Sequence, residues 1–126
     1  MVWSLSATLE WLLSGDEAVK AKPWWDDKFE RIRDLYAEGK FYWITFLYED
    51  ADHDQAEQED CTFWDEAFPI EGVPVLLDRE KELHCYLKPM GIPLANLLDE
   101  NMQMLTYEHL GITGAFEKLL ELFPEE

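Results

Sequence analysis

Three stretches of the chain place apolar residues at the 3.6-residue spacing of an amphipathic helix. They predict helices over residues 5–13, 23–38 and 113–123, the second starting at Pro23 and the third capped by Thr113. The apolar positions of these helices are, in order, Leu5, Leu9, Leu12 and Leu13, then Trp25, Phe29, Ile32 and Tyr36, then Phe116, Leu119, Leu120 and Phe123. Each helix therefore has one face to bury.

Residues 41–48 form a run of aromatic, aliphatic and β-branched residues, which is typical of a β-strand. Because side chains alternate along a strand, apolar side chains fall on both faces of this one. The pattern predicts a central strand in a sheet that is covered on both sides.

The C-terminal half contains a predicted hairpin. Residues 72–77 and 83–87 have strand character, and the charged residues 78–82 between them form its loop. Three shorter elements are also predicted: a helical turn over 16–22, a helix starting at a Thr62/Asp65 capping box, and a helix over 94–100.

The predicted order of elements is therefore α-α-β-α-β-β-α-α. We expect one α/β (α+β) domain over residues 1–126, with a small sheet of about three strands that includes the C-terminal-half hairpin. The helices at the N- and C-terminal ends are expected to cover that sheet.

The segment Val73-Pro74-Val75, placed before a predicted hairpin and a terminal helix, resembles the thioredoxin-like fold in architecture. That fold carries a Cys-x-x-Cys motif after its first strand. Here residues 49–54 occupy that position and contain no cysteine, so the resemblance implies no redox activity.

Net charge is the most informative property of this sequence for its function. The sequence has 28 acidic and 10 basic residues, a net charge of −18, and no lysine or arginine lies between Lys40 and Arg79. Residues 1–40 hold eight acids and six bases, so residues 41–126 hold the other twenty acids and only four bases. Such a polyanionic surface argues against direct binding to nucleic acid or anionic lipid and favours a basic protein partner.

The densest acidic stretch follows the predicted central strand. We predict that it contacts the partner, with Tyr48, Phe63 and Trp64 as aromatic contact residues. The predicted partner-binding residues are Glu49, Asp50, Asp52, Asp54, Glu57, Glu59, Asp60 and Trp64. The alternative is a solvated loop without a partner.

No catalytic residue, metal site or cofactor is predicted. The acidic loop lacks the spacing of an EF-hand, and the glycines form no phosphate-binding loop. Cys61 and Cys85 form no Cys-x-x-Cys motif and are expected to be free thiols, Cys85 in the core and His84 at the surface of a strand.

These features lead to three hypotheses about function. The first is an inhibitor of a basic, nucleic-acid-handling protein such as a nuclease, of the immunity or anti-defence type, whose carboxylates mimic nucleic-acid phosphates. The second is an acidic adaptor, chaperone or assembly subunit, and the third is a metal-dependent hydrolase that uses the carboxylate loop. No apolar run is long enough to span a membrane and no signal peptide is recognisable, so a cytoplasmic protein is expected.

Overall fold

The chain folds into a mixed α+β structure, as predicted. The computed structural model describes residues 2–3, 12–50, 52–90 and 94–125. Its strands are β1 (Val2–Trp3), β2 (Thr45–Leu47), β3 (Val75–Leu77) and β4 (Leu94–Ala95).

The four strands form a sheet in the order β3-β2-β1-β4. β2 lies parallel to both β1 and β3, with Thr45 opposite Val2 and Val75. β4 is antiparallel to β1, with Leu94 opposite Trp3. The sheet is therefore small, as expected, but its two outer strands are β3 and β4.

The α-helices are α1, of which residues 12–14 are described, α2 (Glu30–Ala37), α3 (Gln58–Ala67), α4 (Glu82–Leu87) and α5 (Thr113–Leu122). Short 3-10 helices cover Glu17–Ala21, Asp27–Phe29 and Arg79–Lys81. The first of these confirms the helical turn predicted over 16–22.

The amphipathic helices predicted near both ends are partly or fully confirmed. α5 matches its prediction closely, and residues 12–14 are helical, whereas residues 5–11 of the predicted first helix lie outside the described residues. α2 starts later than Pro23, because the carboxylate of Asp26 accepts a hydrogen bond from Lys28 N and begins a 3-10 turn first.

The main core joins α1, α2 and α5 to the residues just before β2. Phe29 and Phe116 pack edge to face with ring centroids 5.4 Å apart, and Trp43 lies 6.0 Å from Phe116. Lys28 on the 3-10 turn before α2 forms an ion pair with Glu117 of α5 at 2.9 Å. These contacts hold α5 against the 3-10 turn that precedes α2.

The predicted hairpin is wrong. β3 pairs in parallel with β2, and residues 82–87 form α4 instead of a strand. A buried carboxylate, Asp78, starts this helix by accepting hydrogen bonds from Leu83 N and His84 N, both at 2.8 Å. Because the thioredoxin-like resemblance required an antiparallel hairpin here, it does not hold.

The helix predicted over 94–100 is also wrong. Leu94 and Ala95 are buried and pair with β1, and Ala95 N donates to Gly111 O at 3.1 Å. Asn96 then accepts a hydrogen bond from Glu108 N at 2.7 Å, which ties this segment to the loop before α5. Distant partners fix the segment in an extended conformation.

Candidate functional site

The acidic stretch after β2 begins with a closed turn. Asp50 accepts hydrogen bonds through Oδ1 from the main-chain N–H groups of Asp52 at 2.8 Å and Asp54 at 3.0 Å. Asp50 N also donates to Asp54 O at 2.9 Å, and Glu49 and Gln55 form an antiparallel bridge. The carboxylate of Asp50 therefore shapes the turn.

Glu49 is half-buried at the base of this turn. Its carboxylate contacts Lys81 Nζ at 3.3 Å and His53 Nδ1 at 3.1 Å. Burial opposes ionisation, but the hydrogen bonds from His53 and Lys81 outweigh it and hold the pKa of Glu49 below its ordinary value. Glu49 thus links the turn to the 3-10 helix before α4.

Glu57 and Asp60 form the capping box of α3. Glu57 N donates to Asp60 Oδ2 at 2.7 Å, and the Glu57 side chain in turn accepts from the N–H of Asp60. This box lies five residues before the predicted Thr62/Asp65 box, and α3 begins at Gln58, so the predicted start of the helix is wrong. These two carboxylates stabilise the first turn of α3.

The remaining predicted acids are Asp52, Asp54 and Glu59. All three are exposed, and none takes part in an ion pair within the part of the chain that the structure describes. Their carboxylates carry no structural hydrogen bond there either. They are the predicted residues whose charge is available to another molecule.

Two exposed acids of α3 were not among the predicted partner-binding residues. Asp65 and Glu66 are exposed on α3, and Glu59, Phe63 and Glu66 fall at i, i+4 and i+7 on one side of it. We call these three residues the outer face of α3. The signal was available in the sequence once the start of the helix was placed at Gln58.

The two neighbouring aromatic residues of α3 have different surroundings. Trp64 is half-buried beside Leu47 and Cys61, with its ring centroid 4.9 Å from that of Phe68. The side chain of Phe63 is 71% exposed at the centre of the outer face of α3. Phe63 therefore offers more apolar surface to a partner than Trp64 does.

A second exposed apolar surface was not anticipated. Tyr86 and Tyr107 are both exposed, and we call this pair the aromatic patch. Tyr107 donates through its hydroxyl to Tyr86 O at 2.8 Å, and the two rings pack edge to face. Because residues 82–87 were assigned to a strand, sequence reasoning did not bring these side chains together.

The cysteine and histidine assignments are reversed by α4. Cys85 is exposed, whereas His84 is half-buried with its ring 4.6 Å from Tyr48. Cys61 is buried, and burial raises the pKa of its thiol. Both thiols are free, as expected, and the described residues contain no group of three or more metal-binding side chains.

None of the described helices has the length and apolar character needed to cross a bilayer. Comparison with known protein families, with curated proteins and with solved structures found no match to this chain.

Proposed function

We propose that this protein binds and inhibits a basic, nucleic-acid-handling protein, as an immunity or anti-defence protein of the nucleic-acid-mimic type would. One observation carries the proposal: Asp52, Asp54, Glu59, Asp65 and Glu66 are exposed and form no ion pair among the described residues, and Glu59 and Glu66 lie on the same side of α3 as the exposed ring of Phe63. We call residues 50–71 the acidic segment. The compartment that suits such a role is the cytoplasm.

The distribution of ion pairs supports this proposal. Each ion pair among the described residues uses an acid outside residues 50–71, such as Glu30 with Lys20 or Glu117 with Lys28. The lysines in these pairs thus neutralise acids outside residues 50–71. A one-signed field attracts a basic partner over a distance of about a Debye length and accelerates association.

The outer face of α3 can convert attraction into specific binding. An exposed aromatic ring flanked by carboxylates at helical spacing can fill an apolar pocket while its neighbours meet lysine or arginine. The turn at Asp50 and the capping box order the main chain that carries Asp52, Asp54 and Glu59, which lowers the entropic cost of binding. Inhibition by occupation of a basic channel requires no catalytic group.

The test is capture from the lysate of the native host with tagged protein, washed at low salt and again at about 0.5 M salt, where screening falls to a few ångströms. The proposal expects recovery of a basic nucleic-acid-handling protein whose retention falls at high salt. Addition of this chain should also reduce the binding of that protein to its nucleic acid.

Charge variants test whether capture of the partner depends on a defined set of acids. The triple variant D52N/D54N/E59Q should retain less of the partner than the wild type. The matched control D34N/E38Q/E125Q removes three exposed acids elsewhere and should retain it normally. Equal losses in both variants would indicate a diffuse charge effect and contradict a defined contact.

The aromatic patch favours a second function, that of an adaptor or assembly subunit. A chain with both an acidic segment and a separate exposed apolar surface can hold two different proteins. In the same capture experiment, recovery of a salt-resistant complex of cellular subunits that is lost in Y107S would support the adaptor over the inhibitor.

A further inference from the structure

A groove of about 690 Å³ runs between α3 and the segment that leads into β3. Thr62, Asp65 and Glu66 line its helix side. Ile70, Val73 and Val75 line the opposite side. The groove therefore combines apolar side chains with two carboxylates, next to the edge of the sheet.

Among the described residues, β3 is the outermost strand on this side of the sheet. Thr45 N donates to Pro74 O at 3.0 Å, and Asp78 N donates to Leu47 O at 2.8 Å, so residues 74 and 78 face β2. Because main-chain groups alternate in direction along a strand, the N–H and C=O groups of Val75 and Leu77 point away from β2. Such an edge can accept another extended segment through main-chain hydrogen bonds.

The charge of the groove indicates which kind of segment can bind in it. Asp65 and Glu66 are exposed, and no lysine or arginine lines the groove in the part of the chain that the structure describes. A second copy of this chain would bring its own −18 charge and its own Asp65 and Glu66 to the same edge. Charge complementarity instead favours a segment that carries lysine or arginine.

We propose that the groove binds an extended basic segment of the partner, which adds to the sheet as a strand beside β3. Its main chain pairs with Val75 and Leu77. Every second side chain enters the groove, where basic groups meet Asp65 and Glu66 and apolar groups contact Ile70 and Val73. This inference rests on the proposed function only in that the partner is basic.

The experiment uses the full chain and a short synthetic peptide of alternating lysine and valine. Binding is measured at low salt by fluorescence anisotropy, and the contact is located from amide shifts and hydrogen exchange in NMR spectra. The expected result is saturable binding with shifted and more protected amides at Val75 and Leu77. A peptide of alternating glutamate and valine should not bind.

Two comparisons separate strand addition from simple charge attraction. D65N/E66Q should weaken binding about fivefold or more, while D34N/E38Q, which removes the same charge from exposed positions outside the groove, should leave it within about twofold. Methylation of alternate peptide nitrogens keeps the charge but removes main-chain donors, so it should abolish the protection of Val75 and Leu77.

Three outcomes would overturn the proposal: equal weakening by both variants, undiminished binding of the methylated peptide, or a dimer whose Val75 and Leu77 amides are protected before peptide is added. The last would assign the edge to a second copy. None of these outcomes contradicts the proposal that the acidic segment contacts a basic partner. The capture experiment tests that proposal independently with D52N/D54N/E59Q.

Discussion

The carboxylate of Asp78 accepts a hydrogen bond from Leu83 N at 2.8 Å, and this contact decides the fold of the segment between β3 and β4. Asp78 is 4% exposed, and its other carboxylate oxygen accepts from His84 N. Glu80 and Lys81 reach the helix through left-handed conformations with φ of 57° and 55°. One buried side chain therefore satisfies the start of α4 after an irregular turn.

Replacement of Asp78 by alanine should destabilise the protein by about 1–3 kcal/mol, because two partly buried main-chain donors lose their acceptor. D78N should cost less than D78A, since its amide oxygen can still accept one of the two bonds. Urea denaturation followed by circular dichroism measures both. A D78A protein as stable as the wild type would show that water replaces the carboxylate without cost.

The acids of residues 50–60 divide into two groups with opposite expected effects on stability. D50A/E57A/D60A removes the turn and the capping box and should lower the free energy of unfolding by about 1–3 kcal/mol. D52A/D54A/E59A removes the same charge from exposed, unpaired positions and should leave that free energy unchanged or raise it slightly by relieving repulsion.

Only the second of these variants isolates the binding role. It should slow association with a basic partner, as stopped-flow fluorescence would show, without loss of structure. Replacement of all six acids together mixes the two effects. Equal stability of the two triple variants would contradict the structural role assigned to Asp50, Glu57 and Asp60.

Glu49 should make stability depend on pH in the acidic range. Its pKa is lower in the folded chain than in the unfolded chain, so its contribution is complete above the unfolded pKa and is lost as pH falls through the folded pKa. The wild type should therefore be more stable than E49Q at about pH 6, by less than about 1 kcal/mol. This difference in the free energy of unfolding should shrink as the pH falls to about 3.

This difference must be measured in urea, because guanidinium ions would screen the charges. Protonation of the other acids relieves repulsion in both proteins and cancels in the comparison. A difference that stays constant across the acidic range would show that the contacts of Glu49 with Lys81 and His53 do not favour its charged form.

The two thiols should differ in reactivity. Cys85 is exposed, whereas Cys61 is buried with a raised pKa, and the thiolate is the reactive species. A thiol reagent should therefore modify one cysteine rapidly in the native protein and the second only on unfolding. In C85S the rapid phase should vanish, and in C61S it should remain; rapid labelling of C85S would contradict the burial of Cys61.

The sequence was sufficient for elements whose apolar pattern agrees with their final contacts. In α5, Phe116 and Leu119 were predicted to face inward, and both are buried. The same reasoning located α2, although the 3-10 turn at Asp27–Phe29 delayed its start. In these helices local spacing and tertiary packing favour the same conformation.

Segments stabilised by distant partners could not be predicted in this way. Residues 82–87 alternate in polarity like a strand, and nothing local shows that Asp78 begins a helix there. Leu94 and Ala95 show helical spacing with Leu97 and Leu98, but they pair with residues 2 and 3. The apolar spacing of such short segments fits both a helix and a strand, so the long-range contact determines which of the two forms.

The acidic segment was visible in the sequence, but the roles of its members were not. Composition gives the number of carboxylates. Only their neighbours distinguish Asp50, which holds a turn, from Asp52, whose carboxylate forms no hydrogen bond or ion pair among the described residues. Likewise, the exposure of Phe63 and the half-burial of Trp64 follow from the rotation of α3 about its axis.

The position of β1 between β2 and β4 has a consequence for synthesis of the protein. Residues 2 and 3 can form their strand pairs only after residues 45 and 46, on one side, and residues 94 and 95, on the other, have been synthesised. A growing chain can therefore pair β2 with β3 early, but it cannot complete its sheet until residues 94 and 95 have been translated. During that interval the repulsion among its carboxylates would keep neighbouring unfinished chains apart.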